Sequence, residues 1–403
     1  MQITDVKGLE IKDSRGNPTI EVFVSSGDVT SSFAVPSGAS TGKAEAYELR
    51  DDETKGMNKV ISIIEEKIKP ALVGKSLFDQ KAIDELMISL DGTEHKTNLG
   101  GNTMIGVSVA CAKCAAKVKN LALYDHLRTL STVPLEGQNI PYLYVNLING
   151  GKHSHSELAF QEYHIVPQTS NVKDALEMTE KITVELEKII KDNGFEIVLG
   201  DEGGFAISTK DIILPLKFLK GAIEKAGLAG KVKYALDVAS TSFYDESASS
   251  YKVSGQNISK EELQNIYKEI CKDYDLVSIE DPFYEEAFAD FTNYQDELSP
   301  TFFVGDDLTT TNVTRIKKAV EEKSIKGLIV KLNQIGTLSE TIDAITYAQA
   351  NDVKCIVSHR SGETLDSFIA DLAMAFNCFG IKTGSPRAIE RKAKYDRLVE
   401  ILS

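Results

Sequence analysis

The 403 residues carry a formal net charge of -15 and a sequence pI near 5.0, so the chain has no basic surface with which to replace the counterions of a nucleic-acid backbone. No stretch approaches the ~20 apolar residues of a membrane-spanning helix, and Met1–Glu10 mixes acids and bases in a way that matches neither a signal nor a transit peptide. Five scattered cysteines within apolar segments predict a reducing, cytoplasmic setting, and the length predicts two domains.

Residues 3–35 alternate apolar and polar, as at Leu9 and Ile11 and again at Ile20, Val22 and Val24, around the turn sequence Asp13–Pro18. That pattern predicts a small antiparallel meander. Pro36–Gly42 follows as a run of small and hydroxylated residues between glycines, read as a mobile loop. It serves either as a plain connector or as a cover whose hydroxyls ligate a metal, and the residues alone leave the two even. Lys43–Arg50 reads as helix. Across residues 56–130, apolar residues recur at three- and four-residue spacing (Val60, Ile64, Ile68; Ile105, Val109, Ala112), which predicts a helical half. Cys111 and Cys114 match C-x-x-C but have no second pair with which to build a zinc site. The expectation is an α+β N-terminal domain over residues 1–133, a proline-bounded connection at Pro134–Pro141, and a second domain over residues 134–403.

The apolar run Tyr142–Ile148 is the expected first strand of that second domain. Asn149–His153 and Gln161-Glu162 follow it; His155 and His164 receive no role. After a helix over Asp174–Asn193, the carboxylates of Gly200–Gly204 sit at what reads as another strand exit. Four short apolar runs then end in Asp237, Glu280, Asp306 and Lys331, about 25 to 43 residues apart, with amphipathic helices such as Lys260–Lys272 and Asn312–Glu322 between them. The rhythm continues to His359-Arg360-Ser361 and to Lys382. Repeated βα units of roughly 30 residues predict a TIM-like (β/α)8 barrel, whose chemistry lies at the C-terminal ends of its strands. Asp helix caps are the plain alternative for the carboxylates. A buried strand, however, has no structural use for an unpaired charge at its exit. Converging carboxylates without cysteine predict a hard, oxygen-seeking cation such as Mg²⁺. The cations of the late strands predict a small phosphorylated or carboxylated anion.

Several motifs are specific enough to carry a resemblance: Ser14–Pro18, Val35–Gly42, Gly200–Gly204, Ser278–Phe283, Lys331–Thr337, Ser358–Glu363 and Ile381–Gly384. From about residue 3 to residue 400 the chain resembles the enolase family, phosphopyruvate hydratases. A Lys or His base with one or two Mg²⁺ ions is the general plan of that superfamily, so the roles below rest on the likeness. The resemblance implies a lyase of glycolysis and gluconeogenesis that reversibly removes water from 2-phosphoglycerate to give phosphoenolpyruvate. It implies two Mg²⁺ ions per site, the first on Asp237, Glu280 and Asp306, the second on Ser40 and the substrate phosphate. Lys331 matches the base that takes the C2 proton, and Glu202 the acid that helps the C3 hydroxyl leave, with Glu162 and Gln161 beside it. Arg360 and Ser361 match phosphate contacts, Lys382 a carboxylate contact, and His153 and His359 residues that line the site. Lys331 must be neutral to act, and the nearby cations are expected to depress its pKa.

The resemblance further implies a cytoplasmic homodimer or higher homo-oligomer. A cell-surface or secreted pool also occurs in the family. Ser242, Ile207 and Ser154 depart from the usual pattern, and Ser403 follows soon after the last helix where many relatives carry a longer tail; none of these is a proposed catalytic group. Two rival readings are another lyase or racemase of the superfamily acting on a carboxylate substrate, and a non-catalytic paralogue with a binding role. Lys231-Val-Lys233 imitates the first rival's lysine pair but precedes its strand, and no catalytic group is lost as the second requires.

Overall fold

The computed structural model describes residues 1–38, 42–154 and 156–403. Strands β1 (Asp5–Lys12), β2 (Pro18–Ser26) and β3 (Val29–Ala34) form the antiparallel meander. Its first turn is held by the Asp13 carboxylate, which accepts the backbone N–H groups of Arg15 and Asn17 at 2.9 Å each. Ile20, Val22 and Val24 alternate onto the buried face and meet the helix Gly101–Val118. A Cβ on Gly106 would lie 2.6 Å from Val22 Cγ2, so the glycine is what lets this helix lie flat on the sheet.

Residues 43–50 form no helix. Their backbone is committed elsewhere: Ala46 N–H donates to Gln334 O, Tyr47 N–H to His95 O, and Gly101 N–H to Tyr47 O, each at 2.7 Å. Long-range partners for the main chain outweigh a local helical preference of a few tenths of a kcal/mol per residue.

Among the described residues thirteen further strands follow in order: β4 (Tyr142–Asn149), β5 (Glu162–Pro167), β6 (Val198–Leu199), β7 (Phe205–Ala206), β8 (Val232–Asp237), β9 (Tyr244–Asp245), β10 (Ser250–Val253), β11 (Gln256–Ile258), β12 (Leu276–Glu280), β13 (Phe302–Gly305), β14 (Gly327–Val330), β15 (Lys354–Ser358) and β16 (Gly380–Lys382). Eight of them close a barrel in the order β4-β5-β8-β12-β13-β14-β15-β16, with β16 pairing back to β4. The barrel departs from a strict βα repeat at its start, because β5 runs antiparallel to both β4 and β8. Among the described residues only the short 3-10 turn Gly151–His153, and no α-helix, lies between β4 and β5, and a parallel neighbour needs a crossover. The helices Val172–Asp192 and Leu214–Lys225 both come between β5 and β8 instead. Reversal of β5 brings its first residue, Glu162, to the end of the barrel where the other strands finish.

Short β16 covers only Tyr142–Tyr144 of β4, which leaves Ile148 and Asn149 to pair with β7. Gly200–Gly204 is therefore the tip of the β6–β7 hairpin laid over the rim, not a barrel strand exit. A Cβ on Gly200 would come within 2.6 Å of His153 O, so only glycine fits under that tip.

Tyr144, Val166, Ala235, Phe302, Val304, Ile329 and Ile356 fill the lumen as one cluster. Their chain neighbours Val145, Ile165, Leu236, Phe303, Leu328 and Val357 belong to the outer core beneath the helices. The two-residue period of a strand then carries Asn146, Glu162, Asp237, Glu280, Asp306, Lys331, Ser358 and Lys382 inward at the mouth. Apolar layers below and charge above follow from one alternation.

Buried His126, on the short helix Leu123–Arg128, supplies a stability test. Burial, with Lys119 close by, lowers its pKa to about 4 from 6.5. Below pH 6.5 the unfolded chain binds a proton that the native state refuses, so stability falls as pH drops towards 4. Relative to His126→Gln, the parent is expected to lose roughly 2 kcal/mol more between pH 7 and pH 5. Parallel pH profiles of thermal unfolding for the two proteins would refute the assignment.

Candidate active site

Strand register places Glu162 opposite Asp237, and Asp237 opposite Glu280. Three buried carboxylates side by side would repel strongly without a cation. Lys382 provides it, with Nζ 3.0 Å from Asp237 Oδ2, 2.8 and 2.9 Å from the two Glu280 oxygens and 3.4 Å from Glu162 Oε2. One ammonium does not satisfy them equally. Burial and the Asp237 charge push the Glu280 carboxyl well up, and burial also raises Asp237. At Glu162 burial is outweighed by Lys382, His153 and His164, and the carboxyl falls well below its usual range.

Asp306, just past β13, pairs with the Lys331 ammonium and accepts Gln334 Nε2 at 2.8 Å on its other oxygen. Thr311 in turn donates to Gln334 Oε1 at 2.8 Å. Burial, Arg360 and Lys382 all work to lower the Lys331 pKa, yet Asp306 outweighs them and holds it up. The expected depression is absent because the ion pair is the closer charge. Asp281 shapes the next turn, accepting the Asp306 and Asp307 N–H groups at 3.0 and 2.7 Å. Burial and Asp306 push the Asp307 carboxyl up to about 8. Asp281, Asp306 and Asp307 thus form one grouping of oxygens close enough to hold a metal ion, and His153, Glu162 and Glu202 form another. Asp237 and Glu280 gather on Lys382 instead of with Asp306.

Glu202, on the hairpin tip, is 1% exposed. Asn146 donates to its Oε2 at 2.9 Å, while His153 Nδ1 and His359 Nε2 stand 3.3 and 3.1 Å from Oε1. Burial and the Glu162 charge would raise this carboxyl, but His359 and His153 together lower it. Burial holds His359 down at about 4. At His153 burial is overcome by Glu202 and Glu162, and the pKa rises. His153 Nδ1 also lies 3.1 Å from Glu162 Oε1, whose other oxygen meets His164 Nε2 at 2.7 Å. His164, given no role from sequence, is thereby a hydrogen-bond partner of Glu162. Gln161 Nε2 donates to Asp237 Oδ2 at 3.3 Å.

Arg360 follows β15, and its guanidinium donates to Glu45 Oε2 and Asn333 Oδ1 at 2.9 Å each. Ser37 and Gly362 exchange backbone hydrogen bonds of 2.8 and 2.9 Å, so the segment before residue 39 is tied to the loop that carries Arg360 and Ser361. Ser40, the expected second-metal ligand, lies outside the described residues. His153, Gln161, Glu162, Glu202, Asp237, Asp306, Lys331, His359, Arg360, Ser361 and Lys382 line one cavity at the mouth. Glu280 reaches it through Lys382.

Four contributors went unread in the sequence. Asn146 and Gln334 are neutral amides that look like ordinary polar positions, and Asp281 reads as part of a turn. Arg391, on the helix Ile389–Ile401, reads as solvent-facing charge yet is 0% exposed. A signal for the first existed, since Asn146 shares the inward alternation of Tyr142 and Tyr144.

The family model "Enolase, N-terminal domain" matches residues 3–127, and "Enolase, C-terminal TIM barrel domain" matches residues 138–403. The chain is 42% identical over 412 residues to the enolase of Corynebacterium kroppenstedtii, covering 99% of this chain and 95% of that one. It is 42% identical over 407 residues to the enolase of Methanococcus maripaludis (99% and 94%). It is 43% identical over 411 residues to that of Methanopyrus kandleri (99% and 95%). With two family models in order along the sequence, and the barrel they imply closed around a mouth of carboxylates and lysines, the chain belongs to the enolase family.

Proposed function

We propose that the cavity removes water reversibly from 2-phosphoglycerate, with Lys331 and Glu202 as the base and the acid. As an enolase the chain is a lyase, a phosphopyruvate hydratase. The observation that carries the division of roles is position. Lys331 follows β14 and Glu202 stands over β4, separated around the barrel by β15 and β16. A substrate held between them meets Lys331 on one side and Glu202 on the other; in the free protein Asp306 holds the lysine protonated and the two histidines favour the Glu202 carboxylate, so the roles require that bound cations and substrate reverse both.

The donor set fits the Mg²⁺ ions of the family. Asp237, Glu280 and Asp306 are 2%, 4% and 6% exposed, offer only hard oxygen, and sit where carboxylates crowd beyond the positive charge available. Those three would hold the first ion, and Ser40 the second. When bound, the ions neutralise the charge that develops on the substrate carboxylate as the C2 proton leaves. The chain's own residues do the rest. Lys382 is placed to meet the substrate carboxylate, and Arg360 and Ser361 its phosphate, with Arg360 exchanging Glu45 for the anion. Asn146, His153 and His359 fix the Glu202 carboxyl at the C3 hydroxyl, while Gln161 and Glu162 complete that wall. Residues 1–133 act as a cap and residues 134–403 as the catalytic domain, in a cytoplasmic homo-oligomer. Among the described residues no helix is long and apolar enough to cross a membrane.

The test is formation of phosphoenolpyruvate from 2-phosphoglycerate, followed by absorbance with and without a chelator. Turnover that survives exhaustive chelation would overturn the metal assignment. Asp306→Asn keeps side-chain volume but removes one charge, so Mg²⁺ affinity is expected to fall at least 10- to 100-fold; it also leaves the Lys331 ammonium without its partner, so affinity is compared on protein shown to be folded. Calorimetry that gives parental affinity would remove Asp306 from the ligand set.

A further inference from the structure

We infer that Arg391 is a positioning residue that fixes the tautomer of His359, so that an N–H and not a lone pair faces Glu202. Arg391 lies wholly buried beneath the two loops that carry these groups. Its Nη1 donates to Arg360 O at 2.6 Å and stands 2.9 Å from His359 Nδ1; its Nη2 donates to Ser361 O at 2.7 Å and to Asp201 O at 3.1 Å. With one Nη1 hydrogen on the Arg360 carbonyl, the other goes to the imidazole. A guanidinium only donates and does not give up its proton in proteins. His359 Nδ1 must therefore be the acceptor, and the ring proton sits on Nε2. That nitrogen stands 3.1 Å from Glu202 Oε1, close but not in line for a hydrogen bond, and it has no other partner among the described residues.

The opposite tautomer would set two lone pairs against each other at that distance. Glu202 would then have to turn away or take up a proton to stay. His359 is 2% exposed, so no water shell is available to choose the tautomer. The same guanidinium ties Asp201, next to Glu202, to Ser361, two residues beyond His359, and so holds the hairpin tip and the loop after β15 at one spacing. The function of this device rests on the reading of Glu202 as the acid; the tautomer itself does not.

Histidine ring ¹⁵N NMR on the full-length protein reads the tautomer directly among six histidines, with His359 assigned by its loss in His359→Gln. The parent is expected to show an unprotonated Nδ1 and a protonated Nε2 at His359. A proton on Nδ1, or on both nitrogens, overturns the inference without any Arg391 variant. Arg391→Lys, still purely a donor, is expected to keep the tautomer. Arg391→Gln, whose amide can donate or accept, is expected to give a mixture and to lower kcat roughly 10- to 100-fold, with KM and Mg²⁺ affinity near parental values. If Arg391→Gln lowers only the melting temperature and leaves tautomer and kcat unchanged, Arg391 is structural and the inference fails. If Arg391→Gln does not fold, the parent and Arg391→Lys spectra decide. Parental turnover in Glu202→Gln would refute the acid assignment while leaving the tautomer result standing, so the two failures are distinguishable.

Discussion

In Lys331→Ala, exchange of the C2 proton of 2-phosphoglycerate with solvent deuterium is expected to vanish, whereas in Glu202→Gln it persists while product formation collapses. Removal of the proton needs a base at C2, and among the described residues no second amine is placed to serve. Lys382 is committed to Asp237 and Glu280. Asp306 keeps Lys331 protonated in the free protein; it is also a proposed metal ligand, so the charge that opposes the base is one that a bound cation neutralises. Glu202→Gln removes the proposed proton donor but leaves Lys331, so the carbanion is expected still to form and return. Acid–base assistance of this kind is worth about 10²–10⁴-fold, and each variant should lose at least that much turnover. The division of roles is refuted if exchange survives in Lys331→Ala and disappears in Glu202→Gln, with both proteins folded and metal-loaded.

Much of the barrel was legible because one rule produced it. Apolar runs ending in Asp237, Glu280, Asp306 and Lys331 report both the strand and its open end, since a buried strand tolerates charge only there. Strand direction was not legible, because alternation in Glu162–Pro167 is the same read either way; the missing crossover before it was the available clue. The Gly200–Gly204 tip reads as a strand exit for a related reason. Its glycines mark a turn, but only the shortness of β16 explains why a hairpin is needed on that edge of β4. Residues 43–50 look helical locally and are not, because their main chain bonds to Gln334 and His95. Arg391 was invisible because a charged residue in a terminal helix normally faces water. Here the helix packs beneath the loop after β15, and Lys394 from its next turn pairs with Glu363 at 2.8 Å.

Replacing Lys382 with methionine should give the largest loss of stability in the site, and that loss should depend on pH and on Mg²⁺. Methionine roughly keeps the volume, so the change isolates charge. It leaves Glu162, Asp237 and Glu280 buried without their shared cation. Removing one partner of a buried ion pair costs about 3–5 kcal/mol, which in a chain of this size lowers the melting temperature by about 5 °C. The pH dependence follows from Glu162, whose carboxyl Lys382 now holds well below its ordinary 4.5. In the parent this depressed group adds stability above its unfolded pKa and loses it as pH falls. In the variant, burial is unopposed by Lys382, the folded-state pKa rises, and the native state binds the extra proton as the pH falls. The deficit should therefore be smallest near pH 4 and widen as pH rises towards 7. A divalent cation that binds these oxygens stabilises the variant by about 2.7 kcal/mol at a hundred times its dissociation constant, and it should close part of the gap because in the variant it no longer competes with the Lys382 ammonium. A deficit equal at pH 5 and pH 7, and indifferent to Mg²⁺, would mean that Lys382 is held for packing and that the carboxylate row is not a cation site.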